Sequence, residues 1–389
     1  MHDEQKVVEV ARKGAAACEA AEIQTLKDFA AIDCGSQNEA GIKQAVAIVD
    51  GMLNKIKGIK ITHKNFPGYG DVVVAKLTPE HPEGKIVLNA HTDTVFKVGD
   101  AAKYPYHEEG DKAYGLGIVD CKGGIVVAIN AVRIMQEANM LPNKEIVFIF
   151  NCDEEIGAPV GHKVFDEEIP GTDMFFAFEP SRLENGVLTA RKGACSISVD
   201  VTGTQAHSGV NYLAGRSAIT EVAHIILRFY ESNINDRGIQ FNCGPVVNDD
   251  PVNVVSGHAT AKISVRVANQ KDVETVQQIV KTINQEKPYI DGVVKKVVIE
   301  TLGVPMERTE KNVALYKKVY AAGKLLGYEL PEQGTGGGGD ANYFSYKGIP
   351  SVDALGPYMY KIHSEQESMR LSSMQEKTAL FCVVLGTLK

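Results

Sequence analysis

The chain lacks the features that would direct it to a membrane or to nucleic acid. Its 389 residues contain no apolar run near the roughly 20 residues that a membrane-spanning helix needs. Basic residues form no block long enough to neutralise a phosphate backbone, and the net charge is −8. We therefore expect neither a membrane nor a nucleic acid as partner. Residues 1–24 are charged and have no compact apolar stretch, so no secretory signal is predicted.

Cysteine occurs, but in no pattern that binds metal or forms disulfides. The seven cysteines are scattered and odd in number, and no two are spaced as CxxC. This usage is typical of a reducing compartment and predicts a cytoplasmic protein without a disulfide framework. Any metal would therefore have to be held by histidines and carboxylates.

Length and composition are those of a globular protein with two domains or one large one. Apolar residues make up 44% of the chain and charged residues 23%, which excludes a disordered or fibrous chain. Short apolar runs alternate with helical periodicity in the first half, and this order predicts a largely parallel sheet covered on both faces. The predicted elements are helices at 5–30, 38–57 and 123–136 and strands at 85–90, 145–151 and 174–178.

The pattern changes after Glu179. Residues 193–203 and 258–267 alternate polar and apolar positions, as half-buried antiparallel strands do. Amphipathic helices are predicted at 216–230 and 271–285. Together with about four strands, they give the order βαββαβ of a small α+β sandwich.

We predict that this sandwich is an insertion at residues 191–302. The catalytic domain would then be discontinuous and comprise residues 1–190 and 303–389. The predicted fold class is α/β, with a mixed, mostly parallel sheet flanked by helices and an inserted α+β sandwich. The elements predicted after the insertion are a helix at 313–326, a short strand at 351–355 and a closing helix at 374–387.

Histidine or carboxylate residues follow three of the predicted strands directly. His91 and Asp93 follow the first strand, residues 153–155 (DEE) follow the second, and Glu179 ends the third. Functional groups in open α/β sheets gather outside the carboxyl ends of the strands, so these side chains would converge on one crevice. Imidazole and carboxylate groups coordinate zinc. The alternative is a set of solvated acidic turns.

Two details agree with a metal site, although each is weak alone. Asp93 stands two residues after His91, where its carboxylate can accept the second imidazole N–H and fix the tautomer. Glu154 and Glu155 are adjacent, so one can bind a metal while the other faces the bound water. Taken in isolation, two neighbouring glutamates are better explained by a solvated acidic turn.

Seven motifs occur in order between about residues 80 and 370, and as a set they resemble the co-catalytic zinc aminoacylase/carboxypeptidase family. The resemblance implies a zinc-exopeptidase type of fold in which the inserted domain acts as a lid and in dimerisation. The motifs are HTDTV at 91–95, GLGIVDCKGG at 115–124, DEEIG at 153–157, FEP at 178–180, AHSG at 206–209, GGGGDANYF at 336–344 and IHSEQE at 362–367.

The resemblance implies two zinc ions, which cobalt or manganese could replace. His91 and Glu179 would hold one ion, and Glu155 and His363 would hold the other. Asp120 would bridge the two ions, and the peptide bond that follows it would be cis. A bridging anion offsets the repulsion between two close dications.

The resemblance also implies roles for residues around the metals. Glu154 would be the general base that acts on a metal-bridging water, and Asp93 would orient His91. His207 would reach across a dimer and stabilise the oxyanion of the intermediate. Cys121 is not expected to be a ligand, because hard donors already complete the set.

Further residues are implied in substrate binding. Asn253 and Arg266 align with residues that bind the carboxylate or carbonyl of the substrate, a task that suits the guanidinium fork. Gly336 and Gly337 belong to a glycine run that would border the substrate pocket. The run has no following Lys-Ser/Thr, which excludes a P-loop.

The implied function is hydrolysis of an amide bond with release of an amino acid that carries a free carboxylate. The chain would act as a glutamate carboxypeptidase-like enzyme or a di/tripeptidase on small peptides or N-acyl amino acids, and as a homodimer through the inserted domain. The alternatives are an N-acyl-amino-acid deacylase of the acetylornithine deacetylase or desuccinylase type, and a non-catalytic metal-binding module of the same fold. A serine hydrolase lacks its GxSxG elbow.

Overall fold

A computed structural model describes residues 2–182, 185–233 and 238–388 of the chain. The chain divides into two compact units. The first unit consists of Met1–Thr189, Arg308–Gly334 and Gly339–Lys389. The second consists of Ala190–Glu307 and Thr335–Gly338.

The second unit is longer than the predicted insertion at 191–302 because backbone pairing extends it. The backbone N–H of Arg191 donates to the carbonyl of Met306 at 2.9 Å, and the reverse bond measures 3.0 Å. The N–H of Lys192 donates to the carbonyl of Thr335 at 2.9 Å, which ties the short segment 335–338 to the same unit.

The helices and strands are numbered in chain order. The described helices are α1 (Glu4–Ala30), α2 (Glu39–Leu53), α3 (Asp100–Lys103), α4 (Gly123–Glu137), α5 (Gly161–Glu168), α6 (Ala218–Glu231), α7 (Gln270–Gln285), α8 (Glu310–Leu325), α9 (Ala341–Tyr346) and α10 (Ser373–Thr387). The described strands are β1 (Lys60–Phe66), β2 (Gly70–Leu77), β3 (Lys85–His91), β4 (His107–Glu109), β5 (Lys112–Tyr114), β6 (Glu145–Asn151), β7 (Thr172–Ala177), β8 (Val187–Arg191), β9 (Gly193–Thr202), β10 (Ala206–His207), β11 (Gln240–Val247), β12 (Val254–Val255), β13 (His258–Val267), β14 (Val294–Leu302), β15 (Glu332–Thr335), β16 (Ser351–Val352), β17 (Met359–Tyr360) and β18 (Ser368–Arg370).

Polar side chains explain where several helices begin. The side chain of Asp3 accepts a hydrogen bond from a backbone N–H in the first turn of α1. Ser217, Asn269 and Thr309 do the same for α6, α7 and α8. Such caps satisfy N–H groups that have no partner within the helix, and each contributes about 1 kcal/mol.

The first unit is built on a six-stranded mixed sheet with the order β1-β2-β6-β3-β7-β16. Strand β3 pairs in parallel with β6 and β7, and β16 pairs in parallel with β7. Strands β1 and β2 form an antiparallel hairpin that joins the sheet through β6. The predicted mixed, mostly parallel sheet flanked by helices is therefore confirmed, and the hairpin is an addition to it.

The core of the first unit lies between this sheet and its helices. Every residue of β3 is buried, as its continuous apolar run predicted. Helices α1, α4 and α10 pack against one another. Phe381 of α10 meets Phe176 and Phe178 edge-on, with ring centroids 5.2 and 4.8 Å apart. Burying one such side chain stabilises the fold by about 1.5–3 kcal/mol.

The second unit is an antiparallel sheet of four strands in the order β11-β13-β9-β14, joined with helices α6 and α7. Burial alternates along β9 and β13, so one face of the sheet forms the core. Val222 and Phe229 of α6 and Val276 of α7 belong to the same buried cluster. None of the described helices is long and apolar enough to span a bilayer.

Candidate metal centre

The topology of the first sheet brings three strand ends together. Strand β3 lies between β6 and β7, and all three run in parallel. His91 is the last residue of β3, Glu154 and Glu155 begin a 3₁₀ turn shortly after β6, and Glu179 follows β7 by two residues. Parallel strands present their carboxyl ends at one edge, so the side chains predicted there meet at that edge.

The carboxylate of Asp120 lies between two histidines. Its Oδ1 atom is 3.2 Å from Nε2 of His91, and its Oδ2 atom is 3.2 Å from Nε2 of His363. A second carboxylate approaches each of these nitrogens. Glu179 Oε1 is 3.5 Å from the His91 nitrogen, and Glu155 Oε2 is 3.3 Å from the His363 nitrogen.

This donor set fits divalent cations. Asp120, Glu155 and His363 each offer a ligand atom, and these atoms lie within 4.8 Å of one another. His91 and Glu179 belong to a second such group. Imidazole nitrogen and carboxylate oxygen are the donors that zinc accepts, and these three carboxylates with two imidazoles leave an excess of negative charge that a cation would neutralise.

Electrostatics within the cluster reflect that excess of carboxylates. Burial alone would raise the pKa of Asp120, but hydrogen bonds with His363 and His91 outweigh it and hold the pKa below its usual range. The hydrogen bond of His363 to Asp120, together with one to Glu155, raises the pKa of His363 to about 10. Burial, and then the charge of Glu179, raise the pKa of Glu154 well above its usual value.

Cys121 belongs to the same group of potential ligands as His91 and Glu179, yet it is a poor one. Burial raises the pKa of its thiol well above the usual value. The thiol donates to the carbonyl of Phe178 at 3.1 Å, so it is held as a neutral donor. The peptide bond between Asp120 and Cys121 is cis, as the family resemblance implies.

Asp93 joins the histidine to the glutamate turn. His91 Nδ1 is 3.0 Å from the carbonyl oxygen of Asp93 and 3.2 Å from its Oδ1. The backbone N–H groups of Glu154 and Glu155 both donate to the Asp93 carboxylate at 3.2 Å, and Ser36 Oγ donates at 2.6 Å. Asp93 therefore fixes both the imidazole of His91 and the turn that carries Glu154 and Glu155. Residues that orient metal ligands typically make such contacts.

Asp153 follows β6 together with Glu154 and Glu155, but its carboxylate has a different set of partners. Its carboxylate accepts hydrogen bonds from the backbone N–H groups of Val160 at 2.6 Å and Gly161 at 3.1 Å. Asp153 thus shapes the entry to α5 and is not among the clustered ligand atoms.

Two buried carboxyl groups near the cluster were not selected by sequence reasoning as site residues. Glu367 Oε1 accepts hydrogen bonds from the N–H of Val119 at 3.2 Å and of Asp120 at 3.4 Å. Burial, and then the charge of Asp120, raise the pKa of Glu367 to about 8. Burial raises the pKa of Asp340, just before α9, to about 7. A buried side chain that bonds to a distant backbone leaves no local pattern, and only the position of Glu367 within the IHSEQE motif could have indicated it.

The start of α4 passes very close to the segment that carries Glu179. A Cβ atom added to Gly124 would lie 2.0 Å from the carbonyl oxygen of Phe178. No side chain fits in that space, so glycine sets the distance between the helix that follows Asp120 and the end of β7.

The other predicted site residues belong to the second unit. His207 is exposed, and its Nδ1 atom accepts hydrogen bonds from the N–H groups of Gly209 and Val210, both at 3.1 Å. Asn253 is exposed, and Arg266 is partly buried on β13. Gly336 and Gly337 lie in the exposed segment 335–338. Their roles stay predictions.

A mostly parallel sheet with histidines and carboxylates clustered at its strand ends fits a metal-dependent hydrolase. Residues 87–386 match the profile of Peptidase family M20/M25/M40, and the chain belongs to this family. The predicted family resemblance is confirmed, and with it a metal-binding enzyme that hydrolyses amide bonds.

Individual relatives agree with the family assignment. The chain is 30% identical to carboxypeptidase G2 of Pseudomonas sp. (strain RS-16), over 88% of this chain and 83% of that one. It is 25% identical to succinyl-diaminopimelate desuccinylase of Rhodospirillum centenum, over 81% and 83% of the two chains. The crystal structure of aminopeptidase PepT from Bacillus cereus has the same fold, with a TM-score of 0.77, 20% identity and coverage of 95% and 98%.

Proposed function

We propose that this chain is a two-zinc exopeptidase that cleaves the amide bond next to a free carboxylate and releases an amino acid. The observation that carries the proposal is the position of Asp120, whose two oxygens each lie 3.2 Å from a different histidine. A carboxylate placed in this way suits a bridge between two cations. The substrates would be small peptides or N-acyl amino acids.

The proposed ligands follow from the two halves of the cluster. His91 and Glu179 would hold one zinc, Glu155 and His363 would hold the other, and Asp120 would serve both. Cobalt or manganese could take the place of zinc in the same oxygen and nitrogen donors. When bound, the ions would lower the pKa of the attacking water towards neutrality.

Glu154 is the proposed general base. Its backbone N–H donates to the carboxylate of Asp93, which also orients His91. One residue therefore positions both the proposed base, Glu154, and a proposed metal ligand, His91. In its ionised form the Glu154 carboxylate can take a proton from the attacking water, and the neutral carboxyl group that results can deliver that proton to the leaving amine.

His207 is proposed to stabilise the oxyanion from across a dimer. Its Nδ1 atom accepts two backbone hydrogen bonds, so in the neutral ring the proton resides on Nε2. An Nε2–H group on an exposed side chain is free to donate to an oxygen that gains negative charge.

A homodimer through the second unit is supported by apolar residues near His207. The relative solvent exposures of the residues Val210, Leu213 and Val252 are 83%, 86% and 102%. Three large apolar side chains that protrude from neighbouring loops are typical of a protein–protein contact. Asn253 and Arg266 are proposed to bind the carboxylate or carbonyl of the substrate, and Gly336 and Gly337 to border it.

The carboxypeptidase G2 relative favours a carboxypeptidase over the alternatives. The desuccinylase relative keeps an N-acyl-amino-acid deacylase as the second candidate. A panel of dipeptides, tripeptides and N-acyl amino acids, assayed with zinc, after chelation and after zinc is restored, tests both. We expect chelator-reversible release of the C-terminal amino acid. Bound zinc without turnover on any member of the panel would favour the non-catalytic module instead.

A further inference from the structure

A groove of about 630 Å³ lies in the first unit beside Glu155. It is open to solvent along one side and runs between the segment after α1 and the segment after β3. Its lining residues come from three short segments, 35–38, 94–98 and 155–156.

The walls of the groove are fixed by backbone contacts. The N–H of Thr94 donates to the carbonyl of Cys34 at 3.0 Å, and the N–H of Ser36 donates to the carbonyl of Thr94 at 3.1 Å. A Cβ atom on Gly35 would lie 2.2 Å from the carbonyl oxygen of Phe96, so the two segments approach as closely as glycine permits. The groove is therefore preformed, as ligand sites usually are.

Apolar side chains line the open part of the groove. Val95, Val98 and Ile156 expose 42%, 75% and 43% of their areas. Single exposed apolar residues are common on protein surfaces, but three around one groove next to a polar cluster indicate a ligand contact.

The polar groups of the groove narrow the chemistry of the ligand. Lys97 is the one cationic residue of the lining, and its side chain is exposed. Gln37 is exposed as well and stands in a left-handed turn with φ of 69°. A ligand with an apolar chain and a negatively charged end would pack against the exposed apolar residues of the groove and pair with Lys97.

We infer that this groove binds the acyl side of the substrate, and that it selects an extended apolar acyl group with an anionic end. The inference rests on the proposed function. Glu155 lines the groove and lies 3.3 Å from His363, so an occupant would adjoin the proposed reaction centre. Because Arg266 and Asn253 are proposed for the carboxylate of the released amino acid, the acyl side is the part of the substrate that the groove would take.

The test measures binding of three N-acylglutamates to the zinc-loaded Glu154→Gln protein by calorimetry. The acyl groups are acetyl, which is too short to fill the groove, hexanoyl, which is apolar, and adipoyl, which ends in a carboxylate. In this background, Lys97→Glu should weaken adipoyl binding about tenfold and hexanoyl binding little, since it reverses one charge contact. Val98→Asp should weaken both long ligands about tenfold, since it places a charge in an apolar wall. Acetyl binding should stay within about twofold in every variant.

Lys55→Glu is the matched control, because Lys55 is an exposed lysine of the first unit that does not line the groove. The inference is overturned if the two groove variants behave like Lys55→Glu, or if they weaken the acetyl ligand as much as the long ones. Turnover of the same ligands by the unaltered enzyme is measured separately. Selective binding without turnover would reject the proposed function but support the inferred role of the groove. Turnover that the groove variants do not affect would support the proposed function and reject the role of the groove.

Discussion

The side-chain carboxylate of Glu367 accepts a hydrogen bond from the backbone N–H of Asp120 at 3.4 Å. The same oxygen accepts from Val119 at 3.2 Å, and the backbone carbonyl of Glu367 accepts from Gly115 at 3.2 Å. Glu367 follows His363 by four residues. It therefore ties the segment that carries one proposed ligand to the segment that carries the proposed bridge.

Replacing Glu367 with leucine should weaken metal binding. Two buried N–H groups would lose their acceptor, and the Asp120 segment would lose a support of the kind that typically contributes about 10–100-fold to metal affinity. Zinc affinity by chelator competition and the absorption spectrum of the cobalt-loaded protein are the measurements. Glu367→Gln is the control, because its amide oxygen can still accept both bonds. Wild-type affinity and spectrum in a folded Glu367→Leu protein would contradict this positioning role.

Removal of the proposed base should separate catalysis from metal binding. Glu154→Gln is expected to retain both ions and to lose between about a hundredfold and ten-thousandfold in kcat, the usual contribution of a general base. Glu155→Gln should instead lower the metal content measured by elemental analysis, because Glu155 is a proposed ligand. Near-normal turnover by metal-loaded Glu154→Gln would reject the assignment.

The apolar loop after His207 should hold the proposed dimer together. Leu213→Asp is expected to produce a monomer, because burying an unpaired carboxylate in an interface is costly. Light scattering coupled to size exclusion reports the mass. Leu325→Asp at the end of α8 is the control, since Leu325 is an exposed leucine of the first unit. A dimer that survives Leu213→Asp and dissociates in the control would place the interface elsewhere.

Glu22 should make stability depend on pH. It is buried on α1, where Asn130 Nδ2 donates to it at 2.9 Å, and burial raises its pKa to about 7. The folded chain then keeps a proton that the unfolded chain releases near pH 4.5, so the stability from Glu22 is full below about pH 4.5 and is lost as the pH rises through about 7.

Glu22→Gln removes this titration and leaves an amide oxygen to accept from Asn130. Relative to the parent, the variant should gain up to about 3 kcal/mol in unfolding free energy between pH 5 and pH 8. Urea unfolding at both pH values measures the gain. An equal difference between variant and parent at the two pH values would show that Glu22 does not titrate in this range.

The sequence predicted the parts of the fold that depend on strong local patterns. Strands β3 and β6 are continuous apolar runs, and both are almost wholly buried. Strand β1 was missed because its residues, KITHKNF, are mostly polar and partly exposed at the edge of the sheet. Pairing with β2 along its length, rather than its own hydrophobicity, makes it a strand.

The site residues likewise include some that local sequence patterns predict and others that only the structure shows. His91, Glu155 and Glu179 could be predicted because each follows a recognisable strand and lies in a motif. Glu367 supports the site through hydrogen bonds to a distant segment, and such contacts depend on packing that no local pattern encodes. Asp153 has the same sequence context as its neighbours, and only the fold shows that its carboxylate turns to the α5 entrance.

The close approach of Gly124 to Phe178 limits how this chain can vary. Even one methyl group at position 124 would push apart the two backbone segments that adjoin Asp120 and Glu179. Gly124, which is not a proposed ligand, therefore helps to fix the spacing of the proposed cations. Substitutions elsewhere around the centre can change the surroundings of the ions. A larger residue at position 124 would instead change the distance between the segments that carry the proposed ligands Asp120 and Glu179.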